Sequence, residues 1–383
     1  MASKSYLIVS RAFYPMNSPR ANRTTELAKE LCRQGHAVTV LTPAHPDQDS
    51  LIQEYGLKII DLGQPSWPEV PLSAAGPMRL AQRALRRFLQ IFFDYPTSEL
   101  VFRIPRLMPR VEEHDVLISI AAPHAVHWGV ARALRKGAKP AKVWLADCGD
   151  PFMGQENDSF SPAPYFKYVE KAFCRRADAI VVPIEEAREA YYPEFREKIH
   201  VIPQGFRFAD YDHLKALAPE EGEVIRFAFA GLFIPGRRDP GKLLDVLTAA
   251  DRKFEFHVFT RDPGLVRPYA DRDPRIRIRE FIPRGQLLEE LATMDFVVNI
   301  ENAGPRQSPS KLIDYWLSGR PIMNVKTGDV PAELVEDFLD RRYERALKLD
   351  RPEKFDIESV AKSFDRLADQ LIRAESATAQ LAS

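Results

Sequence analysis

Short apolar runs alternate with polar, helix-spaced stretches along the whole 383-residue chain. SYLIVS (5–10) leads through RAFYPMNSPRANR, a loop with two prolines, into TTELAKELCRQG. There apolar residues return at helical spacing until Gly35, and HAVTVLT is the next strand. This β-loop-α-β unit predicts a parallel sheet that receives ligands at the carboxyl ends of its strands. DVLISI (115–120), AKVWLAD (141–147), AIVVP (179–183) and KIHVIPQGF (198–206) extend it, with AVHWGVARALRKG as an intervening helix. The pattern then restarts. IRFAFAG (225–231), KFEFHVFT, IRIREFI, DFVVNIE and RPIMNV read as strands, separated by helices such as PGKLLDVLTAA and RGQLLEELATM. The fold class predicted is α/β, with two Rossmann-like doubly wound domains facing a central cleft. Residues 1–205 form the first, 206–222 a polar linker and 223–355 the second. The last helix, within 356–383, is expected to pack back toward the first domain.

Composition narrows the partners. Lysine plus arginine balances aspartate plus glutamate, 54 against 54, which argues against a nucleic-acid binder. Cys32, Cys148 and Cys174 are far apart and in no metal-ligand spacing, as suits a reducing compartment. The start of the chain has only a short apolar run, Tyr6–Val9, before Arg11, too short for a signal peptide, and no later segment reaches the ~18 apolar residues of a membrane span. A cytoplasmic protein is expected.

Candidate chemistry concentrates in two loops of the second half. In QSPSKLIDYWLSGRPIMNV, Ser308 can cap a helix, Pro309 fits its first position and Gly319 supplies a left-handed exit. Ser310, Lys311 and Asp314 then share a face. A lysine in the first turn opposes the helix dipole unless an anion arrives. In GLFIPGRRDPGKLL, Arg237 and Arg238 sit between strand and helix beside Gly231 and Gly236. Guanidinium forks match a diphosphate or a carboxylate, so both loops point to one anion. A solvated lysine and an Arg238–Asp239 ion pair are the plainer readings. Asp271-Arg272-Asp273 is a D-x-D tripeptide in a turn, read as solvated, and no metal is expected.

AGLFIPGRRDPGKLL, REFIPRGQLLEELATMDFVVNIE and SPSKLIDYWLSGRPIM together resemble the donor-binding domain of family 4-like glycosyltransferases with the two-domain GT-B fold, of the type that builds bacterial surface polysaccharides. FYPMNSPRANRTTELAKELCRQGHAVTVLT and AAPHAVHWGVARALRKGAKPAKVWLADCGDPF resemble the family's acceptor side. The resemblance implies Lys311 and Arg238 on the donor diphosphate, assisted by Ser310 and flanked by Arg237. It places Asp314 where the family has a glutamate on the donor ribose, and the base near Phe281, Ile282 and Pro283. His127 matches the active-site histidine, with His124 close behind. Arg20 or Arg23, in the first βα loop, would face the donor phosphates or the acceptor. Asp150 is a turn former or an acceptor contact. One departure stands out: the family's E-x7-E pair would need a glutamate at Arg306, and Glu301 and Asn302 are near but out of register.

The implied reaction moves a sugar from a UDP- or GDP-sugar to a glycan or lipid-linked acceptor, in the manner of a hexosyltransferase. It would be retaining, metal-independent and cofactor-free. The alternatives are a GT-B nucleotide-sugar epimerase, which should need more acids in its loops, and a non-catalytic nucleotide-sugar-binding relative. Residues 78–92, within GPMRLAQRALRRFLQIFFDYP, set Arg79, Arg83, Arg86 and Arg87 against Leu80, Leu85, Phe88, Leu89 and Phe92. Such a helix either turns its apolar side into the core or lies on an anionic membrane at its inner face.

Overall fold

A computed structural model describes residues 3–16, 18–73, 76–149, 151–154, 161–301 and 310–381. The chain divides into two compact units, Met1–Phe206 with Lys354–Ser383, and Arg207–Glu353. The first holds seven parallel strands, β1 (Ser5–Val9), β2 (Ala37–Thr42), β3 (Lys58–Asp61), β4 (His114–Ile120), β5 (Ala141–Asp147), β6 (Ala179–Val182) and β7 (Ile199–Val201). Their order is β3-β2-β1-β4-β5-β6-β7, so the winding reverses between β1 and β4. Between them lie α1 (Pro19–Arg33), α2 (Asp49–Tyr55), α3 (Pro77–Phe93), α4 (Leu100–Leu107), α5 (Ala125–Arg135) and α6 (Phe166–Arg176).

The continuous apolar runs follow from helices on both faces of the sheet. Tyr6, Ile8, Val40 and Ile118 pack under Leu27 and Leu31 of α1, whereas Leu7, Val9 and Leu117 face Val126, Trp128 and Val130 of α5. Each such aliphatic side chain contributes roughly 1.5–3 kcal/mol by leaving water.

The second unit repeats the order with five parallel strands, β8 (Ile225–Ala230), β9 (Phe254–Phe259), β10 (Ile276–Arg279), β11 (Phe296–Glu301) and β12 (Ile322–Lys326), arranged β10-β9-β8-β11-β12. Its helices are α7 (Gly241–Ala249), α8 (Arg267–Ala270), α9 (Arg284–Ala292), α10 (Ser310–Leu317) and α11 (Ala332–Leu339). Phe227 stacks on Phe256 and Phe296, 4.8 and 4.4 Å between ring centres. The final helix, α12 (Ile357–Leu381), belongs to the first unit. Val360, Phe364 and Leu367 complete the core over α1, and Asp365 accepts bonds from Lys4 Nζ (2.7 Å) and the Tyr6 hydroxyl (2.6 Å).

One element departs from expectation, and one open alternative is narrowed. Helix α1 begins at Pro19, inside the stretch read as loop, because the Ser18 hydroxyl accepts from the Ala21 N–H (3.2 Å) and proline fits the first helical position. Helix α3 has no buried residue, so its apolar side is not in the core. Leu80 is 68% exposed, and Met78, Leu85, Phe88, Phe92 and Phe93 are also exposed. No helix among the described residues is long and apolar enough to cross a membrane.

Candidate active site

Strand β8 delivers the chain to Gly231, which has φ +139°, at the point where the winding of the second sheet reverses. The close approach there demands glycine: a Cβ on Gly231 would lie 1.8 Å from Lys311 Nζ. Lys311 comes from α10, where Asp314 and Tyr315 follow at i+3 and i+4 and so share its face. The Tyr315 hydroxyl accepts from the Ala230 N–H (3.0 Å), which ties α10 to the end of β8. All three side chains line a cavity of about 230 Å³, with Phe259, Phe281 and Ile282 as apolar wall.

Among the described residues, the Lys311 charge in this cavity has no bonded counter-charge. Lys311 Nζ is buried, has no hydrogen-bond partner among the described residues, and lies 4.9 Å from the Phe229 ring centre. Burial, reinforced by the nearby Arg238 charge and opposed by Asp314, pushes its pKa down to about 7. Arg238 is half-buried, and burial lowers its pKa too. Its Nη1 donates to the Leu232 carbonyl (3.3 Å), while Asp239 accepts from the Gly241 N–H (2.9 Å). Arg237 is exposed, and the structure turns it to solvent while its carbonyl accepts from Thr327 Oγ1 (2.9 Å).

Asp314 is held by Arg284, whose Nε and Nη2 both donate to Oδ1, at 2.9 and 2.5 Å. Burial raises the Asp314 pKa, and Arg284 pulls it back. Ile282 lines the cavity; Pro283 precedes α9, where its carbonyl accepts from Leu287 N–H (2.9 Å). Glu301 ends β11 and accepts from Asn324 Nδ2 (2.6 Å). Asp273 of the D-x-D turn is paired with Arg275 (2.7 Å). Asn302, Arg306, Ser308, Pro309 and Asp150 lie outside the described residues, as does the side chain of Ser310.

In the first unit two expectations need correction. His127 is fully buried: Nδ1 bonds the Ser119 hydroxyl (2.7 Å), Nε2 faces Cys148 Sγ (3.3 Å), and its ring stacks on Phe173. Burial, then the charges of His124 and Arg20, hold its pKa well below the usual histidine value. Both nitrogens are engaged within the core of this unit. Arg23 is 3% exposed and bridges Asp147 (2.6 and 2.9 Å) while also donating to the Pro203 and Ile202 carbonyls. It ties α1 to β5 and does not face a ligand. Both Arg20 and Arg23 are helical rather than in a loop.

Arg20 and His124 are placed differently. The Arg20 guanidinium lies against Gly149, where a Cβ would sit 1.3 Å from it, at the exit of β5. His124 precedes α5 and lines a cavity of about 240 Å³ with Arg87, Asp94, Thr97 and Phe152. Asp94 escaped the sequence reading; its signal was an acid directly after a strongly amphipathic helix. Burial pushes its carboxyl up to about 6, against a bond from Thr97 Oγ1 (2.6 Å).

Two doubly wound units with the same strand order in one chain are the architecture of the GT-B fold. The comparisons agree. Residues 21–208 match the model of Glycosyltransferase Family 4. A glycosyltransferase from Rickettsia africae ESF-5 is similar in structure at 12% identity and a TM-score of 0.60, over 97% of this chain and 99% of that one. The lipopolysaccharide outer core galactosyltransferase WaaB, apo form, gives 10%, 0.56, 97% and 99%. Anabaena Alr3699/HepE in complex with UDP and glucose gives 12%, 0.51, 98% and 99%. No curated protein matches in sequence. The chain therefore has the GT-B fold, and just under half of it matches the family 4 model.

Proposed function

We propose that this enzyme transfers a sugar from a UDP- or GDP-sugar to a glycan or lipid-linked acceptor, with retention and without a metal, in polysaccharide or glycoconjugate assembly. The observation that carries the reading is the buried Lys311 ammonium, without a hydrogen-bond partner among the described residues, beside Arg238 at the carboxyl end of β8. A departing nucleoside diphosphate concentrates negative charge, and preorganised cations in a partly dry site stabilise it without reorganising. Lys311 and Arg238 supply that charge; the base and ribose occupy the cavity between Ile282 and Asp314. The HepE complex with UDP and glucose supports the donor class, and the match to family 4 supports retention.

His124, in its half-polar cavity with Asp94, replaces His127 as the histidine on the acceptor side. Helix α3 presents arginines and exposed phenylalanines and leucines together, which suits contact with an anionic membrane at its inner face. A lipid-linked acceptor would be met there.

The test is thermal stabilisation of the protein in EDTA by UDP, GDP, ADP and CMP and their sugars, alongside Lys311→Ala and Arg238→Ala. Stabilisation by one nucleoside diphosphate, abolished in both variants, is expected. A folded protein that no nucleotide stabilises would sink the reading.

A further inference from the structure

We propose that Tyr211 and Arg284 are positioning residues that aim the Asp314 carboxylate at the donor ribose, and thereby set how well the enzyme separates a ribonucleotide from its 2′-deoxy form. The proposal rests on the donor-site reading above and adds to it two residues that the sequence did not single out.

Tyr211 lies in the 3-10 segment Phe208–Ala216, part of the stretch expected to be a mere linker. That segment has no amphipathic pattern of its own, so its order comes from what it touches. Phe208 packs on Trp316 of α10 (4.9 Å between ring centres), and the Tyr211 hydroxyl accepts from Arg284 Nη1. The Arg284 guanidinium also lies 5.0 Å from the Tyr211 ring centre. Tyr211 thus fixes the guanidinium through both its hydroxyl and its ring face.

Arg284 in turn meets Asp314 through a single oxygen, Oδ1, from both Nε and Nη2. Two donors converging on one atom fix the tilt of the carboxylate, a constraint that one bond would not give. The tilt matters because aspartate is one methylene shorter than glutamate and has less freedom to reach a diol. Arg284 also opposes the burial that raises the Asp314 pKa and so favours the ionised, accepting form. Removing the support would leave the carboxylate both misdirected and easier to protonate.

The test compares dissociation constants of UDP and 2′-deoxy-UDP, and of GDP and 2′-deoxy-GDP, in the wild type, Tyr211→Phe, Arg284→Lys and Asp314→Asn. A hydrogen bond to a charged acceptor implies roughly a ten- to hundred-fold preference for the ribonucleotide in the wild type. Tyr211→Phe should cut that ratio several-fold at nearly unchanged Tm, and Arg284→Lys and Asp314→Asn should bring it close to one. Inorganic pyrophosphate, which has no ribose, should bind all four proteins equally. A ratio that survives in both Tyr211→Phe and Arg284→Lys overturns the proposal, and so does a fall in ribonucleotide and pyrophosphate affinity together. Loss of the donor-site reading looks different: it would show as nucleotide binding indifferent to Lys311→Ala.

Discussion

Binding of a nucleoside diphosphate at pH 8 should draw close to one proton from solution, and that proton should go to Lys311. With its pKa pushed down to about 7 in the free protein, the amine is only about one-tenth protonated at pH 8. A diphosphate against it favours the charged form and restores the ordinary lysine value, so the bound state is fully protonated. The expected uptake is therefore about 0.9 proton at pH 8 and about 0.1 at pH 6, where the free amine is already charged. Affinity should weaken by up to tenfold per pH unit above 7, each unit amounting to about 1.4 kcal/mol. Titration calorimetry at pH 8 in Tris and in HEPPS, which differ in ionisation enthalpy, counts the protons directly. Lys311→Met, which should not bind, is the control for heats and proton exchange unrelated to binding. The ligand-free protein should respond in the opposite sense. A lysine whose folded pKa lies below its unfolded one costs stability throughout the range below pH 7, and the cost is relieved as pH rises from 7 to 10.5. The full cost is at most about 5 kcal/mol. Lys311→Met should then raise Tm at pH 6 while abolishing binding. A wild-type protein that binds UDP or GDP at pH 8 with no proton uptake would refute the placement of the diphosphate on Lys311.

Three other outcomes follow from the same geometry. Gly231→Ala places a methyl where Lys311 Nζ now lies and strains a φ of +139°, so donor affinity should fall at least tenfold while Tm drops by only a few degrees, as calorimetry and thermal denaturation would show. His127→Ala should cost roughly 2–4 kcal/mol of stability with kcat per folded molecule retained; because the folded pKa of His127 is depressed, its share of stability is present above pH 6.5 and lost as pH falls below that value, which acid unfolding of wild type and variant would reveal. Vesicles of phosphatidylglycerol should sediment the wild type and vesicles of phosphatidylcholine should not, whereas Phe88→Asp with Phe92→Asp should stay in solution with Tm unchanged, since neither residue is buried.

Sequence pattern and structure agree where burial is total. DVLISI and AKVWLAD are buried strands because parallel sheets are covered on both faces and so write themselves as unbroken apolar runs. Strand β3, Lys58–Asp61, went unread because it is the sheet's edge, with Lys58 and Asp61 exposed and only two apolar residues between them. The start of α1 was hidden because PRANR has no apolar period; a cap and a proline set it. At the site, Lys311 and Asp314 were legible as a pair because helical spacing alone puts them on one face. Arg284 was not, since only the fold carries it from α9 to Asp314, thirty positions along the chain. His127 misled for a physical reason: AVHWGV surrounds it with apolar residues, which is the signature of a histidine satisfied inside a core.

The contrast between the two buried basic groups explains why one reads as structural and the other as functional. Arg23 and Lys311 are both withdrawn from water, and each withdrawal is costly unless compensated. Arg23 has its compensation within the chain, in the Asp147 carboxylate and two carbonyls, so nothing is gained there by an incoming anion. Lys311 is denied the same: its Nζ rests on a glycine and a phenyl ring, Arg238 stands beside it instead of an acid, and the one acid on its own helix face, Asp314, is taken up by Arg284. Among the described residues, the groups that could neutralise this lysine are engaged elsewhere. A fold that leaves a charge uncompensated in this way is less stable empty than occupied, and the difference is available as binding energy for a diphosphate.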